Sequence, residues 1–167
     1  GLNCDGVEVA KDKIKKVNIP ANRIINASLR GRTVEDFVLT AKTLEDVVDM
    51  FEINVSCPHA RGYGRSLGQD PQMVHDIVKG IRGVTSNDIF VKFGPRLDCL
   101  EEGVLAAIKG GADGLALINT EGPHISLVDG YNVLAGDGKG GRSGRGIKNI
   151  GLKAVGLARK TAGPGIP

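Results

Sequence analysis

The residues able to do chemistry in this chain are a thiol, an ammonium and a set of carboxamides, and they fall where apolar runs give way to polar loops. The thiol is Cys57, at the junction inside FEINVSCPHARGYGRS, residues 51–66. Pro58 confines the backbone before it to extended conformations and so fixes where the thiol points. His59, when charged, favours the thiolate, the form that acts as a base or nucleophile. A cysteine is more often a small buried hydrophobe than a catalyst. The setting raises the functional reading, because Asn54 three residues earlier can face the same ligand.

Lys92 lies inside IFVKFG, where an ammonium is costly unless an anion or strong acceptors meet it. The bland alternative is a side chain that snorkels to solvent. The functional alternatives are a Schiff-base amine and a cation beside a cofactor that gains negative charge on reduction. Further polar groups stand at the other run ends: Asn26 and Ser28, then Asn54 and Ser56, then Asn119 and Thr120. The stretch GDGKGGRSGRG, residues 136–146, spells G-x-G-x-x-G at Gly136, Gly138 and Gly141. As a dinucleotide fingerprint it is weak, since no helix opens at Gly141 and no acidic residue follows about twenty positions later. It reads either as a flexible loop or as backbone that approaches a bound cofactor ahead of Ile147.

Four short runs rich in β-branched and apolar residues, RIINASL, FEINVSC, IFVKFG and GLALIN, have the character of strands buried on both faces. Each precedes a helical pattern. Thr33 and Asp36 form a capping box ahead of Val34, Phe37, Val38 and Ala41. Asp70 and Pro71 open a helix carrying Val74, Ile77, Val78 and Ile81. Asp98 can cap a helix bearing Leu100, Val104, Leu105 and Ile108, which Gly110 and Gly111 close. A glycine-rich segment then leads to IKNIGLKAVGLARK. Repeated β/α units imply a parallel α/β fold, a barrel or a doubly wound sheet, with its ligand at the carboxyl ends of the strands. Four units are half of a (β/α)8 barrel, which takes about 250 residues, and the closing GPGIP looks like the lead-in to another strand. The expectation is therefore one domain fragment, residues 1–167.

Composition narrows the function classes. The 167 residues are 41% hydrophobic and 25% charged, as in a globular domain, and the net charge of +3 is scattered without basic blocks or interleaved aromatics, which argues against a nucleic-acid partner. No run reaches membrane-span length, and GLNCDGVEVAKDK has no signal-peptide pattern, so a cytoplasmic location is the default. Cys4, Cys57 and Cys99 are odd in number and widely spaced, while His75 and His124 form no ligand pair, so no metal site is expected. Glycine, 25 of 167, is about twice its usual share.

Taken in order, INVSCPH, GQDP, FVKFGP, GGADGLALINT and GKGGRSGRGIK resemble the FMN-dependent dihydroorotate dehydrogenase family, including the flavin domain of dihydropyrimidine dehydrogenase. The resemblance spans nearly the whole chain. It implies a partial (β/α)8 TIM barrel, about the middle four β/α units, and FMN as the cofactor. Flavin contacts would fall on Asn26, Asn54, Lys92 near the flavin N1, the backbone at Ile118, and Gly141 and Gly144 in the glycine loop. Substrate contacts would fall on Gly1, Leu2, Asn54, Ser56, Asn119 and Thr120, and Cys57 matches the catalytic base of the cysteine class. The implied reaction is oxidation of dihydroorotate to orotate in pyrimidine biosynthesis. His59 stands where many members have asparagine, a spelling similar to dihydropyrimidine dehydrogenases, so uracil or thymine reduction is the alternative. A Schiff-base lyase using Lys92 and an inactive half-barrel fragment are the others. The partners would be a small pyrimidine and, at full length, further copies of the chain; the electron acceptor is open between an electron-transfer subunit, fumarate and another oxidant.

Overall fold

The computed structural model describes residues 5–56, 67–134 and 138–167. A first helix, α1 (Val7–Lys15), precedes the repeated units. There follow β1 (Asn26–Leu29), α2 (Val34–Leu44), β2 (Met50–Asn54), α3 (Pro71–Arg82), β3 (Asp88–Phe93), α4 (Leu100–Gly110) and β4 (Gly114–Leu117). The four strands form one parallel sheet in the order β1-β2-β3-β4. Each helix packs on the next, α1 on α2, α2 on α3, α3 on α4 and α4 on α5 (Lys148–Ala162). A doubly wound sheet carries helices on both faces. Consecutive strands with helices in matching sequence along one face are the arrangement of a barrel segment.

Two of the expected helix starts are built as the sequence predicts. The Thr33 hydroxyl accepts from the Asp36 amide while the Asp36 carboxylate accepts from the Thr33 amide. The Asp70 carboxylate accepts from the amides of Gln72 and Met73. Such caps contribute about 1 kcal/mol each. The third differs: α4 is entered through Cys99, one residue later, with no side-chain cap, and the Asp98 carboxylate accepts from the Arg96 guanidinium, Nε to Oδ1 at 2.8 Å. Gly111 closes α4 at φ 101°, a left-handed conformation that glycine adopts without a Cβ clash.

The strands are not buried equally on both faces. Along β2 and β3, Phe51, Ile53, Ile89 and Val91 have no exposed surface and lie in the core with Phe37, Val74, Ile77, Ile81 and Val104. Burial of each such side chain contributes about 1.5–3 kcal/mol. The alternate residues, Met50, Glu52, Asn54, Phe90 and Lys92, are half-buried on the opposite face, the face that a closed barrel turns inward. At the amino ends of the strands, polar side chains act as splints. Asp49 Oδ2 accepts from the Ile25 amide at 2.7 Å, Asp113 Oδ2 from the Ile89 amide at 2.8 Å, and Asn87 Nδ2 donates to the Val48 carbonyl at 2.8 Å. Beyond β4, the Leu115 amide donates to the Pro167 carbonyl at 3.0 Å.

The glycine-rich segment holds two antiparallel ribbons that periodicity does not predict. β5 (Glu121–His124) pairs with β8 (Gly140–Arg142), and β6 (Leu127–Val128) with β7 (Tyr131–Asn132). EGPH and GGR have no strand propensity of their own. The pairing is held from outside the strands' own preferences, in part by the Arg142 guanidinium on the Glu121 carboxylate.

Candidate active site

Parallel pairing puts Asn54 beside Lys92, and Lys92 beside Ala116, at the carboxyl end of the sheet. The next residues along, Ser56, Gly94 and Asn119, continue this rim. Asn119 is its keystone. Its amide N–H donates to the Phe93 carbonyl at 2.8 Å, which seats it over the end of β3. From there its Nδ2 reaches β2, donating to the Ser56 carbonyl at 3.1 Å and towards Asn54 Oδ1 at 3.3 Å, while its Oδ1 accepts from the Thr120 amide at 2.8 Å. Asn54 Oδ1 also accepts from the Ser56 amide at 3.2 Å, so the two carboxamides are held in fixed orientation.

Lys92 meets an anion supplied by the chain itself. Its Nζ lies 3.2 Å from Glu52 Oε1, with 29% of the lysine side chain and 18% of the glutamate side chain exposed. The Ser28 hydroxyl donates to the same oxygen at 3.2 Å. Glu52 is absent from the residues singled out by sequence. The signal was nevertheless available: period-two alternation sets Glu52 on the same face as Asn54, and a carboxylate in mid-strand calls for a partner just as the lysine does.

Ser56, Thr120 and Gly94 also border a cleft of about 460 Å³ whose wall includes Phe93, Leu97 and Leu100. The Thr120 hydroxyl is buried without a hydrogen-bond partner among the described residues. It packs directly on Gly141, where a Cβ would overlap it, so β8 can approach the end of β4 only through glycine. Gly144 adopts φ 70° with open space on its side-chain side, and it begins the turn, Gly144–Ile147, that leads into α5. Ile118 follows β4 with its side chain towards Gly151 of α5. At the rim of the cleft burial pushes the Cys99 thiol up, and the hydrogen bond from Arg96 holds the Asp98 carboxyl below its usual range.

The structure thus brings together Asn54, Ser56, Lys92, Asn119 and Thr120, with Gly141 alongside Thr120. Asn26 is corrected in position. It opens β1, opposite Met50, and so lies four residues, about 13 Å, from the level of Asn54. The expectation placed it at a carboxyl strand end because RIINASL reads as one continuous run, but pairing starts only at Asn26, and Ser28 is the β1 residue that faces the lysine and glutamate. Cys57, Gly1 and Leu2 lie outside the described residues, as do His59 and Gly136; Ser56 immediately precedes Cys57.

Comparison with known proteins places this arrangement in context. The family model described as Dihydroorotate dehydrogenase matches residues 1–167. The chain is 42% identical over 128 residues to the dihydroorotate dehydrogenase B (NAD(+)) catalytic subunit of Pyrococcus horikoshii, covering 77% of this chain and 42% of that protein. It is 38% identical over 159 residues to the subunit of the same name from Methanocaldococcus jannaschii, covering 93% and 52%. The chain spans about half the length of the curated relatives it matches. Among solved structures, ligand-free dihydroorotate dehydrogenase of Eimeria tenella superposes with a TM-score of 0.74 at 20% identity, over 96% of this chain and 53% of that one, a likeness of fold.

Proposed function

The chain belongs to the dihydroorotate dehydrogenase family, and we propose that, within the complete barrel, it oxidises dihydroorotate to orotate with FMN, Cys57 acting as the base. The observation that carries the reading is the convergence of Asn54, Lys92 and Asn119, at or just past the carboxyl ends of three strands, onto one rim. The residues present suit a flavin. A cation, oriented carboxamides and a buried Thr120 hydroxyl with no partner among the described residues match a flat ring edged with amide groups. The bare backbone at Gly144 leaves room for close approach. FMN, when bound, supplies the two-electron acceptor for the hydride that leaves C6.

The chain's own groups do the rest. Cys57 takes the C5 proton as its thiolate, a usable base once neighbours lower its pKa from the ordinary value of about 8.5. Asn54 and Asn119 offer donor and acceptor to the imide and amide edges of the pyrimidine, their orientation set by the bonds to Ser56 and Thr120. Lys92 places positive charge where the reduced ring gathers negative charge. A Schiff-base lysine attacks as the free amine, whereas Lys92 stands in an ion pair with Glu52, which favours the flavin reading. The relatives named as catalytic subunits support a separate electron-transfer subunit as partner.

The intact protein should be yellow and turn over dihydroorotate, and Cys57→Ser should keep the flavin spectrum while losing about 10²–10⁴-fold in turnover at neutral pH, the range of general-base catalysis. Unchanged turnover would remove Cys57 from the mechanism. Reduction of uracil in place of dihydroorotate oxidation would move the substrate to the alternative pyrimidine.

A further inference from the structure

Glu52 has no part in the chemistry described so far, yet its side chain is more enclosed than that of the Lys92 it pairs with. On the inner face it occupies the rank below Lys92, in register with Ser28 of β1 and Phe90 of β3. Phe90 would fill the space beneath the ammonium, but its ring lies over Gly114 of β4, the neighbouring position without a side chain. That leaves Glu52 Oε1 free to accept from both the Lys92 ammonium and the Ser28 hydroxyl, each at 3.2 Å. The two charged side chains are 18% and 29% exposed, so this pair is not one of the solvent-screened surface contacts whose worth is small. The bond to Ser28 fixes the carboxylate from the side opposite the lysine.

We infer that Glu52 is a positioning residue: held by Ser28, it anchors the Lys92 ammonium on the inner face and offsets part of its positive field at the ring. The inference rests on the flavin reading above. The carboxylate opposes an extra negative charge on the ring, so its removal favours the reduced form over the oxidised one. Glu52→Gln in the intact protein should therefore raise the ratio of reduced to oxidised flavin affinity at least tenfold, a positive shift of about 30 mV in the two-electron midpoint potential. Glu52→Asp, which keeps the charge, should stay within threefold of the wild-type ratio. Ser28→Ala, which keeps the charge and withdraws only a neutral hydroxyl donor from it, should likewise stay within threefold.

Spectroelectrochemical titration of the bound flavin reads all three. A merely structural role would lower flavin content in Glu52→Gln and Glu52→Asp alike without moving the potential of what remains. A flavin-loaded Glu52→Gln protein with the wild-type potential would overturn the inference and leave the flavin reading standing. A wild-type protein without flavin would overturn both. If Glu52→Gln fails to fold, Glu52→Ala decides, since it too removes the charge: a positive shift supports the role, and an unchanged potential refutes it.

Discussion

Replacing Asn119 tests whether the rim is a built device or a coincidence of neighbouring polar groups. Its two shortest side-chain bonds are Thr120 N to Oδ1 at 2.8 Å and Nδ2 to the Ser56 carbonyl at 3.1 Å; those to Asn54 Oδ1 and Ser56 Oγ are longer, 3.3 and 3.4 Å. At about 1 kcal/mol net for each good bond, Asn119→Ala should destabilise the intact protein by about 2 kcal/mol. The same amount lost from transition-state binding corresponds to about thirtyfold in kcat/KM. Asn119→Asp is the sharper probe. It keeps the acceptor for Thr120 but turns the Nδ2 donor into a carboxylate oxygen facing the Ser56 carbonyl and Asn54 Oδ1, so it should be at least as damaging as alanine despite its near-identical shape. Urea unfolding and dihydroorotate turnover measured side by side supply both numbers. An aspartate variant with wild-type stability and rate would refute the reasoning, because it would show that the donor bonds from β4 to β2 carry nothing.

Glycine-to-alanine changes should have opposite signs at two helical sites. A Cβ on Gly110 would meet the His75 carbonyl oxygen and Val78 Cβ, both at 2.8 Å, where α4 rests on α3, so Gly110→Ala should destabilise by about 1–3 kcal/mol. Gly156 in α5 has nothing within 4 Å of such a Cβ, and Gly156→Ala should stabilise by about 0.5–1 kcal/mol; chemical denaturation compares the two directly. Lys11 Nζ ties α1 to the Asp46 carboxylate at 2.6 Å, and that hydrogen bond holds the Asp46 pKa below its ordinary 3.8. A lowered carboxyl pKa contributes stability above the unfolded value and loses it as pH falls through the folded one. Amide exchange in α1 should therefore speed up specifically on acidification below about pH 4, and Asp46→Asn should remove that dependence; an unchanged acid response in the variant would discard the tether.

How much of this was legible in the sequence depends on the range of the interaction concerned. The strands and helices of the four β/α units, the Thr33–Asp36 box, the Asp70 cap and the left-handed stop at Gly111 are settled within a few residues of chain, where periodicity and capping chemistry act, and the ordered motifs gave the family. The fold class followed, because repeated β/α units admit few arrangements. The failures share a different origin. Asn26 was misplaced because the residue at which pairing begins is set by the neighbouring strand. Asp98 was misassigned because the helix is entered one residue later, through Cys99, while the Asp98 carboxylate pairs with Arg96.

Glu52 with Lys92, forty residues apart, and Asn119 with Asn54, sixty-five apart, became partners only through parallel register and the seating of residue 119 over β3. The sequence alone determined which side chains carry charge, donors and a thiol, and which segments present them. Only the tertiary structure decided which of them face one another, because a shift of a single residue in strand register moves every side chain to the opposite face.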